Sequence, residues 1–157
     1  MAEEHIEGFR AVLDEVARER RYLAFLEAPS LEDLSGFVRR NIRKGYPAYV
    51  ALVGDKVVGW CDAAPADRPT LAHCGILGMG VETSHRHRGI GKALIRATLE
   101  GARKAGLTRI ELTVREDNER AIELYRSIGF EQEGLKRNGF RVDDRYANLV
   151  CMALLLD

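Results

Sequence analysis

The stretch Arg86-His-Arg-Gly-Ile-Gly91 decides the fold, because it lies between an apolar run that ends at Val81 and a helical pattern that opens at Lys92. The order of strand, glycine turn and helix start predicts a phosphate cradle. Gly89 and Gly91 let the backbone approach a ligand closely and leave N–H groups pointing outward. The first helical turn adds unpaired donors and the positive end of its dipole. We expect an anion, a pyrophosphate, to bind at this turn.

The side chains around this turn carry positive charge, which Arg86, Arg88 and Lys92 supply. Charge-assisted bonds from such groups favour phosphate. A glycine pair between a strand and a helix also occurs as a plain turn, and this alternative stays open on these residues alone. The signature of P-loop enzymes and the Gly-x-Gly-x-x-Gly fingerprint of dinucleotide-binding domains are both absent. Those two classes of phosphate-binding protein are therefore excluded.

A second motif follows downstream, between Val114 and Phe130. The two motifs together resemble the GNAT superfamily of acetyl-CoA-dependent N-acetyltransferases. The first motif matches that family's Arg/Gln-x-x-Gly-x-Gly/Ala loop. The second matches its Asn-x-x-Ala-x-x-x-Tyr-x-x-x-Gly-Phe helix. The matching residues are Arg86, Gly89 and Gly91, then Asn118, Ala121, Tyr125, Gly129 and Phe130. The resemblance runs from about Ala48 to the C-terminus.

Composition is typical of a single cytoplasmic domain spanning residues 1–157. Acidic and basic residues balance at 24 each, which gives no reason to expect a nucleic-acid partner. The three cysteines form neither a metal pattern nor a disulfide framework. His85 and His87 lack a third ligand at a suitable spacing, so we expect no metal. No signal peptide or membrane-spanning run is evident.

Hydrophobic periodicity predicts an α/β (α+β) fold, a mixed sheet of about six strands flanked by about four helices. The resemblance implies the GNAT fold, in which this central sheet is mostly antiparallel. The expected helices cover residues 4–21, 31–44, 90–105 and 118–128, with Ser30 as an N-cap. The expected strands cover residues 48–53, 56–63, 71–81, 109–115, 130–140 and 145–156. The strand with which GNAT chains usually begin is missing here. An uncovered sheet edge of this kind invites pairing with a second copy, so a homodimer is possible.

The resemblance implies that acetyl-CoA is a co-substrate lying in a gap between the strand that ends at Val81 and the strand that ends at Arg115. Backbone groups of Met79, Gly80 and Val81 would pair with the pantetheine arm, and an N–H there would polarise the thioester carbonyl. The remaining cofactor contacts implied by the resemblance are Arg86, His87, Arg88, Gly89, Ile90, Gly91, Lys92, Asn118, Ala121 and Tyr125.

Tyr125 is the expected catalytic acid. It shares one helix face with Asn118 and Ala121, and the matching tyrosine in many GNAT enzymes protonates the departing CoA thiolate. The alternative is a core tyrosine whose hydroxyl caps a strand. Asn118 has two interpretations as well, as an N-cap of the helix or as a contact to pantetheine.

The general base is not evident from the sequence. The two positions at which GNAT enzymes place a catalytic glutamate hold Ile76 and Thr113 here. His73, Glu82 and Glu111 are nearby candidates, of which His73 has the most suitable ordinary pKa. A chain of water molecules with no dedicated side chain is an equal alternative.

The acceptor is expected to be a small amine or an amino acid, with a protein N-terminus as the alternative. The resemblance places its pocket between residues 26–30 and residues 138–144. Asp143 and Asp144 are candidates to hold an ammonium group, although acidic pairs in hairpins often only form the turn. A sensor that binds acetyl-CoA without catalysis is a third hypothesis, motivated by the missing glutamate.

Overall fold

The computed structural model describes residues 1–65 and 68–156. Its four helices are α1 Ile6–Arg18, α2 Leu31–Lys44, α3 Ile90–Lys104 and α4 Glu119–Ile128. Its six strands are β1 Ala48–Val53, β2 Lys56–Pro65, β3 Cys74–Val81, β4 Arg109–Arg115, β5 Glu131–Val142 and β6 Arg145–Leu155. Within these ranges, no helix is both long and apolar enough to cross a bilayer.

The six strands form one sheet in the order β1-β2-β3-β4-β6-β5. Only β3 and β4 run parallel; every other neighbouring pair is antiparallel. The prediction of a mixed, mostly antiparallel sheet is confirmed. In the described part of the chain no strand precedes α1, and Glu3–His5 forms a short 3-10 turn instead. β1 is therefore one edge of the sheet.

Two predicted boundaries are wrong, and local geometry explains both. The first helix was expected to run to residue 21 but ends at Arg18, because Arg20 adopts a left-handed backbone with φ 54°. The strand expected from residue 71 begins at Cys74. A 3-10 turn over Pro69–Leu71 precedes it, and proline at its first position favours that turn.

Helix ends follow the predicted signals. The Ser30 hydroxyl accepts a hydrogen bond from Asp33 N at 3.1 Å, which confirms the N-cap of α2. Gly45 ends α2 and Gly129 ends α4, each in the left-handed region with φ 68° and φ 113°. These stops fix where β1 and β5 begin.

The sheet separates two apolar layers. Helices α1 and α2 pack on one face, which we call the α1/α2 face, and α3 and α4 pack on the opposite α3/α4 face. Trp60 of β2 is 4% exposed and its ring centroid lies 5.6 Å from that of Phe9 on α1, so it is a core residue. Because side chains alternate along a strand, Asp62 shares the α1/α2 face with Trp60. Cys61 faces the opposite side.

Gly80 of β3 lies directly under the Trp60 ring, and a Cβ there would overlap the ring. We expect Gly80→Ala to lower the free energy of unfolding by roughly 1–3 kcal/mol through overpacking. Gly36→Ala in α2 is the matched control, since nothing lies within 4 Å of its Cβ position. It should be stabilising by about 0.5–1 kcal/mol. Urea unfolding of both variants tests this. Equal free energies of unfolding for the two variants would refute the close packing of Trp60 on Gly80.

Candidate active site

The parallel ladder between β3 and β4 is short. It joins Cys74–Ile76 to Arg109–Glu111 and then stops, although β3 continues to Val81 and β4 to Arg115. The two strands part at this point, as the resemblance to GNAT enzymes implies. The result is a gap in the middle of the sheet, with an unpaired backbone edge on each side.

The direction of each β3 peptide follows from one hydrogen bond. Glu82 N donates to Val58 O on β2 at 2.9 Å, so its amide points away from the gap. By alternation, the N–H and C=O groups of Leu77, Met79 and Val81 point into the gap, while those of Gly80 point to β2. The expectation that Gly80 offers its backbone to a ligand is therefore corrected. What Gly80 provides is room for Trp60.

The turn before α3 has the geometry of an anion cradle. Gly89 has φ 79°, with nothing within 4 Å of its Cβ position. The first backbone hydrogen bond within α3 runs from Ala93 N to Gly89 O at 3.0 Å. The N–H groups of Ile90, Gly91 and Lys92 therefore have no partner within the helix. Three donors and a helix dipole converge at the end of the gap.

Arg86 does not present its charge to this cradle. Its Nε donates to Val81 O at 2.8 Å, and its guanidinium forms an ion pair with Glu19 of α1 and lies 5.4 Å from the Tyr22 ring centroid. The neighbouring Glu19 carboxylate raises the pKa of Arg86. The expectation that Arg86 supplies a free positive charge is corrected. Arg86 fastens the loop to α1 and β3.

Three other cations surround the loop. Arg88 is exposed and Lys92 is half-buried, and no acidic side chain in the described ranges lies within salt-bridge distance of either. Arg120 of α4 was missed by the sequence analysis, although it lies inside the second motif. Its Nη1 is 2.9 Å from Nε2 of His87, whose backbone also has a positive φ of 64°. His87 thus links the loop to α4.

Tyr125 lies on the α3/α4 face of the sheet. It is 8% exposed, and its ring packs edge-on against Phe130 at 5.7 Å. Burial raises the pKa of its phenol, and the Cys61 thiol of β2 raises that pKa further. The hydroxyl has no hydrogen-bond partner among residues 1–65 and 68–156. The alternative in which this hydroxyl caps a strand is therefore not supported.

Asn118 acts as the N-cap of α4, because its Oδ1 accepts from Ala121 N at 3.4 Å. This confirms one of the two interpretations of Asn118. The cap fixes the first turn of the helix that carries both Arg120 and Tyr125.

Glu82 cannot serve as a base at neutral pH. Its carboxylate accepts from Lys56 Nζ at 2.7 Å and from Ser84 Oγ at 2.6 Å, and it lies 3.0 Å from His85 Nδ1. These bonds, led by the one from Lys56, lower the pKa of Glu82 to about 2. Proton acceptance near neutrality would require breaking this cluster.

The other two sequence candidates lie at or before the paired part of β3 and β4. His73 is exposed before the first paired residue, with Nε2 3.2 Å from Cys74 Sγ. It precedes Ile76 by about 10 Å of extended chain. Glu111 is the last β4 residue that pairs with β3, and its carboxylate accepts from Arg109 at 3.4 Å. The structure does not bring His73 to the gap.

Asp62 is a buried carboxylate that the sequence analysis missed. It is 9% exposed, and no side-chain hydrogen bond to it is formed within the described residues. Its Oδ2 lies 3.5 Å from the position that a Gly78 Cβ would occupy. Burial raises the pKa of Asp62 to about 7. A single acidic residue inside the apolar strand Val57-Val-Gly-Trp-Cys-Asp62-Ala-Ala was the available signal.

The hairpin turn expected at the acceptor site is held by ion pairs. Asp143 pairs with Arg20 at the end of α1, and Asp144 pairs with Arg141. Both aspartates have positive φ, 49° and 59°, as the turn requires. The structure thus supports their role as turn formers, and neither carboxylate is unpaired.

The pH dependence of stability tests the burial of Asp62. Its folded pKa of about 7 lies above its usual value, so the unfolded chain releases the proton first and stability falls as pH rises from about 4 to about 7. Asp62→Asn removes this loss. The free energy of unfolding of Asp62→Asn minus that of the wild type should therefore rise between about pH 4 and 8, by at most about 4 kcal/mol. Urea titrations at both pH values measure it; a constant difference would contradict the burial.

Comparison with known proteins gives the family. The model of the Acetyltransferase (GNAT) family matches residues 9–130. The L-amino acid N-acetyltransferase AaaT of Escherichia coli is 33% identical over 144 residues, covering 88% of this chain and 89% of AaaT. The N-alpha-acetyltransferase RimI of Mycobacterium tuberculosis is 36% identical over 104 residues, covering 66% of this chain and 64% of RimI.

The fold agrees with that assignment. The structure of yncA from Salmonella typhimurium, solved with its cofactor acetyl-CoA, superposes with a TM-score of 0.94 at 16% identity, covering 100% of this chain and 91% of that one. Within the described ranges, no group of three or more His, Cys, Asp or Glu side chains is placed to hold a metal ion. A parted β3–β4 pair beside an anion cradle, together with these matches, establishes that this chain belongs to the GNAT family of acetyl-CoA-dependent N-acetyltransferases.

Proposed function

We propose that this enzyme transfers the acetyl group of acetyl-CoA to the primary amine of a small molecule, with an amino acid as the first candidate. Attack is direct, within a complex of enzyme, acetyl-CoA and amine. The observation that carries the proposal is the gap beyond Ile76 and Glu111, which leads to the unpaired N–H groups at the start of α3.

The gap suits the shape and charge of acetyl-CoA. The pyrophosphate binds the N–H groups of Ile90, Gly91 and Lys92, and the side chains of Arg88 and Arg120 add charge beside it. The pantetheine arm takes the place of the absent neighbouring strand, pairing with the backbone of Leu77 and Met79. The N–H of Met79 then lies where it polarises the thioester carbonyl.

Val81 and Gly91 have supporting roles in this arrangement. The Val81 carbonyl accepts from Arg86 Nε, so it is already occupied at the mouth of the gap. Gly91 packs against the β3 layer, with its Cβ position 3.3 Å from Met79 Cε. A side chain at residue 91 would press on Met79 and displace the strand edge that receives the pantetheine.

Transfer ends with protonation of the CoA thiolate, and Tyr125 is the proposed donor. Burial raises the pKa of its phenol, which keeps the proton on the oxygen at neutral pH. A CoA thiolate, with a thiol pKa of about 8.5 in water, is a weaker base than a phenolate. The proposed transfer therefore depends on the apolar surroundings, which raise the basicity of the departing thiolate as well. The phenol lies on the α3/α4 face, against the same sheet whose gap receives the thioester.

The acceptor is proposed from the relatives and from the charge of the chain. AaaT, whose name assigns it L-amino acids, is matched over 89% of its length, whereas RimI, named for α-amino groups, is matched over 64%. Acetylation of a protein N-terminus is therefore the second candidate. A balance of 24 acidic and 24 basic residues offers no bias toward a polyanionic or polycationic partner.

We also propose a cytoplasmic location and a homodimer. The three cysteines are free, as is usual in a reducing compartment. The β1 edge exposes Leu52 and Val53, and an uncovered edge of this kind favours pairing between copies. Light scattering of the purified protein measures the mass in solution; a monomer at all concentrations would refute the dimer.

Release of CoA thiol tests the reaction. The purified enzyme is mixed with acetyl-CoA and, in turn, amino acids, polyamines, aminoglycosides and short peptides. We expect turnover with small amines, and a fall in kcat of about 100-fold in Tyr125→Phe with acetyl-CoA binding retained, because the phenol acts only on the leaving thiolate. Tyr146→Phe is the matched control, since Tyr146 is 57% exposed on β6. Acetylation of peptides alone would replace the small-amine proposal. An unchanged kcat in Tyr125→Phe would refute the role of Tyr125 as the general acid.

A further inference from the structure

Asp62 and Trp60 are the two side chains of β2 that extend over β3 on the α1/α2 face. β2 pairs Trp60 with Gly80 and Asp62 with Gly78, and neither glycine has a side chain to fill the space above it. The Trp60 ring covers Gly80. The Asp62 carboxylate covers Gly78, with Oδ2 and Oδ1 at 3.5 Å and 3.7 Å from the Gly78 Cβ position.

This placement brings the carboxylate to the beginning of the gap. Gly78 is the second residue after Ile76, the last β3 residue that pairs with β4. A pantetheine arm that replaces the next strand lies about 4.8 Å from β3. An amine that attacks the thioester at this level, from the α1/α2 face, is within reach of Asp62 directly or through one water molecule.

The two candidate proton-transfer groups then lie on opposite faces of the sheet. Tyr125 packs with α3 and α4, whereas Asp62 shares its face with Trp60, which packs on α1. This separation suits direct attack on a thioester, because one group can deprotonate the incoming amine while the other protonates the departing thiolate.

Among residues 1–65 and 68–156, no charged side chain forms a hydrogen bond or ion pair with Asp62. The neighbouring strands offer only Tyr49 of β1, whose hydroxyl is directed to Gly101 of α3, and Cys74 of β3. The Met1 ammonium donates at 2.7 Å to the carbonyl oxygen of Ala48, the β1 residue that pairs with Asp62. The charged residues of α1 are Glu7, Arg10, Asp14, Glu15 and Arg18. Neither these groups nor the charged residues of α2 change the pKa of Asp62, which burial alone raises.

A buried carboxylate without a partner destabilises the fold, so its presence calls for a chemical reason. We propose that Asp62 is the general base that accepts the proton of the attacking ammonium, a role that rests on the proposed acetyl transfer. This would make Asp62 the counterpart of the missing glutamates at residues 76 and 113, on the strand next to the one that bears Ile76.

The proton balance is complete with the groups named. The ammonium gives one proton to the Asp62 carboxylate, and the free amine forms a C–N bond with the thioester carbon. The C–S bond breaks, and the thiolate takes a proton from Tyr125. The nitrogen releases its second proton to water as the amide forms, and the Tyr125 oxygen recovers one from water. Asp62 then releases its proton to water, which restores the carboxylate for the next turnover.

The experiment compares Asp62→Asn with Asp55→Asn, an exposed aspartate in the turn of the same hairpin. We expect Asp62→Asn to bind acetyl-CoA normally by calorimetry and to lose about 100-fold or more in kcat with an acceptor that is charged at the assay pH. The wild-type rate should rise with pH and level off above the pKa of Asp62 near 7. The rate of the variant should show no such plateau and should follow the neutral fraction of the amine instead. Asp55→Asn should match the wild type.

A second acceptor separates a base from a structural role. With an amine already neutral at the assay pH, Asp62→Asn should lose much less activity than with the charged amine. An equal loss with both acceptors would overturn the role of Asp62 as base, as would full activity of Asp62→Asn with the charged amine. Either result leaves acetyl transfer standing. A wild-type enzyme that acetylates no amine refutes acetyl transfer itself, and the role of Asp62 with it.

Discussion

The parting of β3 and β4 is the constraint on which the site depends. Three residue pairs hold the parallel ladder, and the strands then leave backbone donors and acceptors of Leu77 and Met79 without a strand partner. Unpaired backbone groups inside a sheet are costly unless something else satisfies them. A ligand with amide groups of its own can do so, and the pantetheine of acetyl-CoA carries two. We therefore propose the gap as the acetyl-CoA site, built from the sheet itself.

Two glycines of β3 leave space above the strand for side chains of β2. Gly78 and Gly80 leave one face of the strand bare, so residues from β2 occupy that space. Trp60 fills its share with apolar packing on α1, while Asp62 fills the other with a carboxylate. Trp60 and Asp62, two residues apart on β2, thus place a core aromatic ring and a titratable carboxylate next to each other over β3. β3 ends at the loop that the Arg86–Glu19 ion pair fastens to α1.

Local patterns predicted what local geometry controls. The Gly89 turn, the Asn118 cap and the position of Tyr125 on α4 each depend on a few consecutive residues, so the sequence indicated them. The pairing of strands and the gap came from the resemblance and not from periodicity. The boundary errors at Arg18 and Cys74 arose where a single φ angle or a proline ended an apolar pattern.

The missed features depend on contacts between distant segments. Glu82 looked like a base until Lys56, 26 residues earlier, neutralised it. Arg86 looked like a phosphate ligand until Glu19, 67 residues earlier, paired with it. Asp62 showed the opposite case, because burial by elements far along the chain made an ordinary aspartate titrate near neutrality.

Amide hydrogen exchange on addition of acetyl-CoA tests most directly whether the gap is the cofactor site. The account predicts slower exchange at Met79 and at Ile90, Gly91 and Lys92, with Gly80 unchanged because its N–H already bonds within the sheet. Protection confined to other parts of the chain, or equal protection of Gly80 and Met79, would contradict it.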